Sequence, residues 1–355
     1  MGIRIVPQQA FEAFEMINKA VADGVLAEGS IAKDLVPAAA INTFDVFGET
    51  KPTTKFTGLA VNSCGSGLFI LLKHFQRLGA KKCIIQSNTM YCVKTIVTLA
   101  GLVPVVIPSD PDTMIMDVAE LQDSLGVNSK LDTVVLVSHI GGGFHATMEH
   151  LYRACVAYDV PMIEDMAHAL GNGVAPISDA GVFSMYATKA IPAGEGGIIV
   201  TRRPEIQEFA ERFVVYDRHA MEYSEGLNLR VSEVQAAFMV AGINHSLQTV
   251  QSRLRTHDAI KGVLEEFGVD HLPDQGITNG YKLIITDMRV LSNEKLMAAL
   301  QAISTSGTVF GYSLSENIDP LPHYCFDTNY GHGEDYISSV VQALAEAFEE
   351  HHVVS

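Results

Sequence analysis

The chain has 355 residues, of which 48% are hydrophobic and 18% charged, a balance that builds a large folded core and excludes disorder as the main state. Lys and Arg total 24 against 41 Asp and Glu, and a formal charge of −17 is the opposite of a nucleic-acid binder's electrostatic footprint. A chain of this length corresponds to roughly two domains.

The five cysteines, Cys64, Cys83, Cys92, Cys155 and Cys325, are odd in number and show no C-x-x-C spacing, which favours a reducing compartment over a disulfide scaffold. The opening MGIRIVPQQAFEAFE has no apolar stretch of signal-peptide type and carries two acids. Mean hydropathy is positive, but no run of about 18 uncharged apolar residues occurs. A cytoplasmic protein away from the membrane is expected.

In chain order, Phe11, Phe14, Ile17, Val21 and Val25 fall near helical spacing and predict an opening helix. Ser30 to Phe56, with two Pro and the Thr-rich KPTTKF, reads as mostly irregular. A short apolar run then meets Ser63-Cys64-Gly65-Ser66-Gly67 and leads into a helix. CIIQS, VPVVI, TVVLVSH, PMIED, GVFSMYA and GIIVT read as strands, and Tyr91–Ala100, DVAELQDSL and Thr147–Ala157 as helices. This alternation predicts an α/β fold, a mainly parallel sheet sandwiched by helices. Ser232 and Gln235 fit a capping box for a helix over VSEVQAAFMVAGI. A long polar helix over roughly Leu247–Phe267, strands YKLIITD and GTVFGYS flanking helix NEKLMAAL, and a helix over Glu334–Glu350 complete the chain. A boundary near Asn244 separates a large domain, 1–243, from a smaller α+β domain, 244–355.

Three stretches could carry chemistry. The Gly-Ser-Gly turn opening a helix offers backbone N–H groups and a helix dipole to an anion. It lacks the third Gly of a dinucleotide fingerprint, and the next strand ends Gln86-Ser87-Asn88 without a ribose-binding acid. A single phosphate, or a plain tight turn, remains open. Glu164 and Asp165 end an apolar strand, where open sheets bind ligands; Asp165 could equally cap the next helix. Lys189 follows the strand GVFSMYA and precedes Gly194-Glu195-Gly196-Gly197; a lysine leaving a buried strand can serve as a Schiff-base amine, or be an exposed loop residue. His139, His145 and His150 lack metal-site spacing, and no metal is expected.

Taken together and in order, NSCGSGL, VPMIEDMAHALGN, GVFSMYATKAIPAGEGGIIVT and GLNLRVSEVQAA resemble four motifs of the DegT/StrS-type sugar aminotransferases, over most of residues 55–243. These are fold-type-I enzymes that use pyridoxal 5'-phosphate, mostly on nucleotide-linked keto sugars. The resemblance implies that Lys189 holds the cofactor as a Schiff base and later moves a proton, and that Asp165 pairs with the pyridine nitrogen. It implies that the turn Gly65, Ser66 and Gly67, through the Ser66 and Gly67 backbone, holds the phosphate with the Ser184 hydroxyl. His168 stands near the ring hydroxyl. Asn228 reaches the phosphate in a neighbouring subunit, so a homodimer with shared sites is expected. A small-molecule keto substrate and an amino-acid donor, glutamate or glutamine, follow from the same resemblance.

Several residues depart from the family. Met90 falls where an aromatic residue normally stacks on the cofactor ring, with Tyr91 beside it as the alternative. PLPHYCFDTNYGHGEDY stands where relatives carry a longer substrate loop, and Ser30–Phe56 departs as well. Three other functions compete: the same chemistry on a cyclitol ketone or other non-sugar carbonyl, cofactor binding without turnover, and a nicotinamide dehydrogenase. The present Lys189 argues against the family's dehydratase branch, where a His replaces it. The missing third Gly and ribose acid weaken the dehydrogenase.

Overall fold

The computed structural model describes residues 7–48, 55–127, 132–216, 226–273, 276–304, 308–310, 313–328 and 334–353. Helix α1 (Pro7–Ala22) opens the chain, and a π-type segment (Ile31–Leu35) runs directly into α2 (Val36–Phe47). The irregular stretch expected from Ser30 to Phe56 is therefore largely helical. Pro37 stands in the first turn of α2, where its missing N–H has no intrahelical role, and the Ala-rich run behind it propagates the helix. Its one glycine, Gly48, stands just past the end of α2. The KPTT part of that stretch lies outside the described residues.

Strands and helices then alternate: β1 (Thr57–Val61), α3 (Cys64–Arg77), β2 (Lys82–Gln86), α4 (Tyr91–Leu99), β3 (Val103–Ile107), α5 (Val118–Val127), β4 (Thr133–Ser138), α6 (Thr147–Ala157), β5 (Met162–Met166), β6 (Ala180–Ser184), β7 (Gly197–Thr201), α7 (Pro204–Val214) and α8 (Glu233–Asn244). The strands form one sheet in the order β1-β7-β6-β5-β4-β2-β3. Neighbours from β3 to β6 pair in parallel, and β7 runs antiparallel to both β6 and β1. Period-two alternation divides the buried side chains between two faces. Cys83, Ile85, Leu136, Ile163, Val182 and Ile199 pack with side chains of α3, α4 and α7. Ile84, Val135 and Val137 pack with α5 and α6, and Ile198, Val200 and Phe183 with α2 and α8. Both faces are covered, which is why these strands read as continuous apolar runs.

Helix α8 ends at Asn244 and α9 (Ser246–Glu266) follows, its Val250 and Leu254 still packed with the core beneath α2 and α8. After it come β8 (Lys282–Ile285), α10 (Met288–Leu291), α11 (Glu294–Ile303), β9 (Thr308–Phe310), β10 (His323–Asp327) and α12 (Glu334–Glu350). The second sheet, in the order β8-β10-β9, is antiparallel. Its central strand β10 is HYCFD, part of the segment expected to be a substrate loop; Tyr324 and Phe326 are buried in the small core with α9, α11 and α12. Two strands were legible there and the central one was not, because the five residues His323–Asp327, after Pro322, carry little alternation. Residues 329–333 of that segment lie outside the described residues. Among the described residues no helix is long and apolar enough to cross a membrane.

One buried charge ties the opening segment to α8. Glu233, 1% exposed, accepts N–H groups from Gly29 (3.0 Å), Ile31 (3.1 Å) and Ala32 (3.3 Å), the donors that begin the π-type segment. Ser232 caps α8 by accepting the Gln235 N–H, as its spacing predicts. Glu233→Ala leaves two buried donors and one half-buried donor without their acceptor, and urea unfolding should show a loss of about 3 kcal/mol. Glu233→Gln, which keeps one acceptor oxygen, should lose less.

Candidate active site

The carboxyl ends of β4, β5 and β6 open onto a cavity of about 260 Å³. Its walls come from the start of α3 (Ser63, Cys64, Gly65), the start of α4 (Thr89, Met90, Cys92) and the loop after β6 (Tyr186, Lys189, Glu195). Strand β2 lies between β3 and β4, so the connections on its two sides diverge and leave a crevice at its end. Thr89 donates its hydroxyl to Ser138 (2.8 Å) across that crevice.

The helix start is built by capping. Ser63 Oγ accepts the Ser66 N–H (3.1 Å), Ser63 O accepts the Gly67 N–H (3.2 Å), and Ser66 Oγ donates to Asn62 Oδ1 (2.6 Å). The Ser66 and Gly67 amides, expected to face an anion, are thus already committed inside the turn. The amides of Cys64 and Gly65, two positions earlier, have no acceptor among the described residues. Gly67 serves packing instead: a Cβ there would lie 2.5 Å from Val182 Cγ1, so its absence lets α3 rest on β6. Gly197 plays the matching part on β7, since a Cβ would lie 2.4 Å from the Ser63 carbonyl carbon. Ser184, buried at the end of β6, accepts the Tyr186 N–H (3.3 Å) and lines the same cavity.

Asp165 faces the cavity from the end of β5. Burial pushes its carboxyl above the usual range, opposed by the Ala167 N–H on Oδ1 (3.0 Å), by Lys189, by His139 and by the Cys64 thiol (3.7 Å). Burial and Asp165 in turn push the Cys64 thiol well above its ordinary value, so it remains a donor. The preceding residue, Glu164, lies on the opposite face of the sheet. It accepts the Ser178 N–H (2.8 Å) and meets His139 Nε2 at 2.7 Å, both side chains sealed from solvent. Burial pushes Glu164 up, but His139 and Ser178 outweigh it and hold it below the ordinary range. The adjacent acids of β5 therefore separate into one cavity group and one structural group.

His168 accepts the Gly141 N–H on Nδ1 (3.2 Å), which leaves its proton on Nε2. Burial, then Lys189, Lys282 and His139, push it well below its ordinary value, so it is neutral. Lys189 Nζ lies 5.3 Å from the centroid of the Tyr281 ring, and that ring lies 4.9 Å from His168. Met90 lines the cavity although half exposed; Tyr91, the first residue of α4, does not. Asn228 is exposed and lies outside the cavity lining. The structure thus brings Lys189, Asp165, His168, Ser184, Gly65 and Met90 to one cavity. Sequence reasoning passed over Cys64, although it stands inside the quoted turn, and passed over Thr89, Ser138 and Tyr281, which carry no local signal. Among the described residues no cluster of three or more His, Cys, Asp or Glu could hold a metal ion.

The whole fold has counterparts among solved structures. DesI, determined with its TDP-sugar product, superimposes with a TM-score of 0.79 at 20% identity, covering 99% of this chain and 95% of that one. 3-Amino-5-hydroxybenzoic acid synthase gives 0.76 at 18% identity over 98% and 99%. The architecture is that of the fold-type-I pyridoxal-phosphate enzymes. By sequence, MJ1066, an uncharacterized protein of Methanocaldococcus jannaschii, is 29% identical over 155 residues, 42% of this chain and 39% of that relative's length. The chain belongs to the DegT/DnrJ/EryC1/StrS aminotransferase family, matched over residues 53–338. By family it is an aminotransferase whose cofactor is pyridoxal phosphate.

The depressed pKa of His168 makes a signed prediction. A folded value below the unfolded one contributes stability that is complete above about pH 6.5 and is lost as the pH falls from there to the folded value. Apoprotein stability should therefore decline on acidification below about pH 6.5. His168→Gln should flatten that decline, read as the difference between the two urea-midpoint profiles, which removes the contributions of other histidines.

Proposed function

We propose that the protein transfers an amino group from an amino-acid donor, glutamate or glutamine, to the ketone of a sugar, most suitably a nucleotide-linked one. The supporting observation is that Lys189 and Asp165 face one cavity beside two uncommitted helix N-terminal amides. A ring bearing a phosphate at one end and a basic nitrogen at the other matches that donor set. Pyridoxal phosphate, when bound, supplies an aldehyde that takes up amino groups and a ring that accepts the electron pair left at the substrate Cα.

The chain's own residues divide the remaining work. The Cys64 and Gly65 amides, at the positive end of α3, and the Ser184 hydroxyl receive the phosphate. Asp165 pairs with the ring nitrogen and holds its proton there, and the Cys64 thiol, donating to Oδ1, favours the ionised carboxylate. Neutral His168 presents its Nε2–H as a donor near the ring hydroxyl. Lys189 holds the cofactor covalently and, once its amine is free, Nζ takes the proton from the substrate Cα. Met90 covers the ring face with a thioether in place of an aromatic side chain.

A homodimer with shared sites belongs to the same reading. Asn228 is exposed and outside this chain's own cavity, and Met90, Tyr91, Tyr186 and Leu227 are exposed apolar side chains that a second copy would cover. A non-sugar acceptor is the second reading: Leu68, Met90, Ile96 and Ile140 give the cavity an apolar wall suited to a less hydroxylated ring.

The protein loaded with pyridoxal phosphate should be yellow, and Lys189→Ala should abolish covalent retention after borohydride reduction and reduce turnover by at least about a thousandfold. Asp165→Ala should retain some cofactor yet lose most turnover. Asn228→Ala should release cofactor faster without changing the sedimentation of the dimer. The acceptor is decided by converting the enzyme to its pyridoxamine form and offering nucleotide-linked keto sugars, cyclitol ketones and small keto compounds. Return of the yellow absorbance with the sugars is the expected result; return with cyclitols alone would favour the second reading.

A further inference from the structure

The segment after α8 reaches the site through Tyr281. This side chain is 3% exposed and stands just before β8, in the smaller sheet. Three cationic side chains meet at its ring: the cavity's Lys189 Nζ lies 5.3 Å from its centroid, Lys282 Nζ 5.1 Å and the Arg253 guanidinium carbon 5.7 Å. Its hydroxyl is 3.4 Å from Thr188 Oγ1, beside the lysine in sequence.

The ring's own position is fixed from several directions. The Tyr281 N–H donates to Asn279 Oδ1 (3.0 Å), and the fully buried Asn279 donates Nδ2 to the carbonyls of His168 (2.8 Å) and Leu170 (2.9 Å). Gly142, at φ +99°, makes room for that amide, since a Cβ there would lie 2.0 Å from Asn279 Oδ1. Arg253, from α9 and 3% exposed, donates Nη2 to the Lys189 carbonyl (3.1 Å) and Nε to the Ala190 carbonyl (3.3 Å). The backbone of the lysine is thus clamped by Arg253, while its ammonium group rests over an aromatic face held by Asn279.

We propose that Tyr281 is a positioning residue for Lys189: its ring is the seat that holds the amine at the cavity wall whenever the amine is not covalently engaged. The proposal rests on the reading of Lys189 as the cofactor-bearing lysine. A lysine side chain has four rotatable carbons and no preferred direction of its own, so a clamped backbone alone does not locate Nζ. The negative ring face attracts the ammonium group and selects one arrangement from many. The hydroxyl contact at 3.4 Å is long and secondary. The aromatic ring, rather than the hydroxyl, is therefore the working part.

The test compares Tyr281→Phe with two apolar replacements of different shape, Tyr281→Met and Tyr281→Leu, whichever folds with the wild-type melting profile. Two quantities are read: the rate at which apoprotein captures pyridoxal phosphate covalently, followed by absorbance, and kcat and KM for the amino donor. Phe should stay within about threefold of wild type in both. Met or Leu should slow capture and kcat by about tenfold with KM changed less than about twofold. Equal losses in Phe and Met, or no loss in Met and Leu, would overturn the proposal. Lys189→Ala is run beside them. If that variant still captures cofactor covalently, the reading of Lys189 falls; if it does not and the Met variant captures at the wild-type rate, only the role of Tyr281 falls.

Discussion

Asp165 is a carboxylate held out of water, and the arrangement of the site follows from that. Burial alone would drive it towards the neutral acid. The groups that oppose this come from separate parts of the chain: the Ala167 N–H from its own turn, the Cys64 thiol from the first residue of α3, and the charge of Lys189 from the loop after β6. Each must be delivered to the same end of the sheet. Parallel strands deliver them there, because every parallel crossover returns the chain to the same edge.

The two faces of β5 show how closely charge is sorted. Glu164 and Asp165 are neighbours in sequence but opposite in direction. Glu164 is sealed against His139 and Ser178, so its charge is used within the fold. That pairing also holds the start of the loop after β4, whose Gly141 N–H fixes the tautomer of His168. A structural hydrogen-bonded pair thereby helps to orient a cavity side chain.

The smaller sheet is joined to this edge by polar contacts. Asn279 bonds the carbonyls of His168 and Leu170, Lys282 N–H donates to the Gly141 carbonyl (3.0 Å), and Arg253 bonds the carbonyls of Lys189 and Ala190. These carbonyls lie in the turns that leave β5, β4 and β6. Turns of this kind have no ladder partner of their own, and buried carbonyls require donors. The C-terminal segment supplies them, and in doing so places Tyr281 beside Lys189.

Much of this was legible in the chain. The order of strands and helices up to β7, the Ser232 cap, and the spacing of the Gly-Ser-Gly turn, Asp165 and Lys189 are local properties, set by side-chain periodicity and turn chemistry. Other features were not. The helices over residues 31–47 were hidden by Pro37, whose effect depends on which turn it occupies, and β10 by its lack of polar–apolar alternation. The shift of the available amides from Ser66 and Gly67 to Cys64 and Gly65 depends on where the helix starts, which is decided by the Ser63 cap. Residue types and their order fix which chemistry is present; only folding decides which amide is left unpaired, which of two adjacent acids meets the cavity, and that Tyr281, 92 positions after Lys189, comes to lie against it. Those are contacts between distant parts of one chain, and no local pattern encodes them.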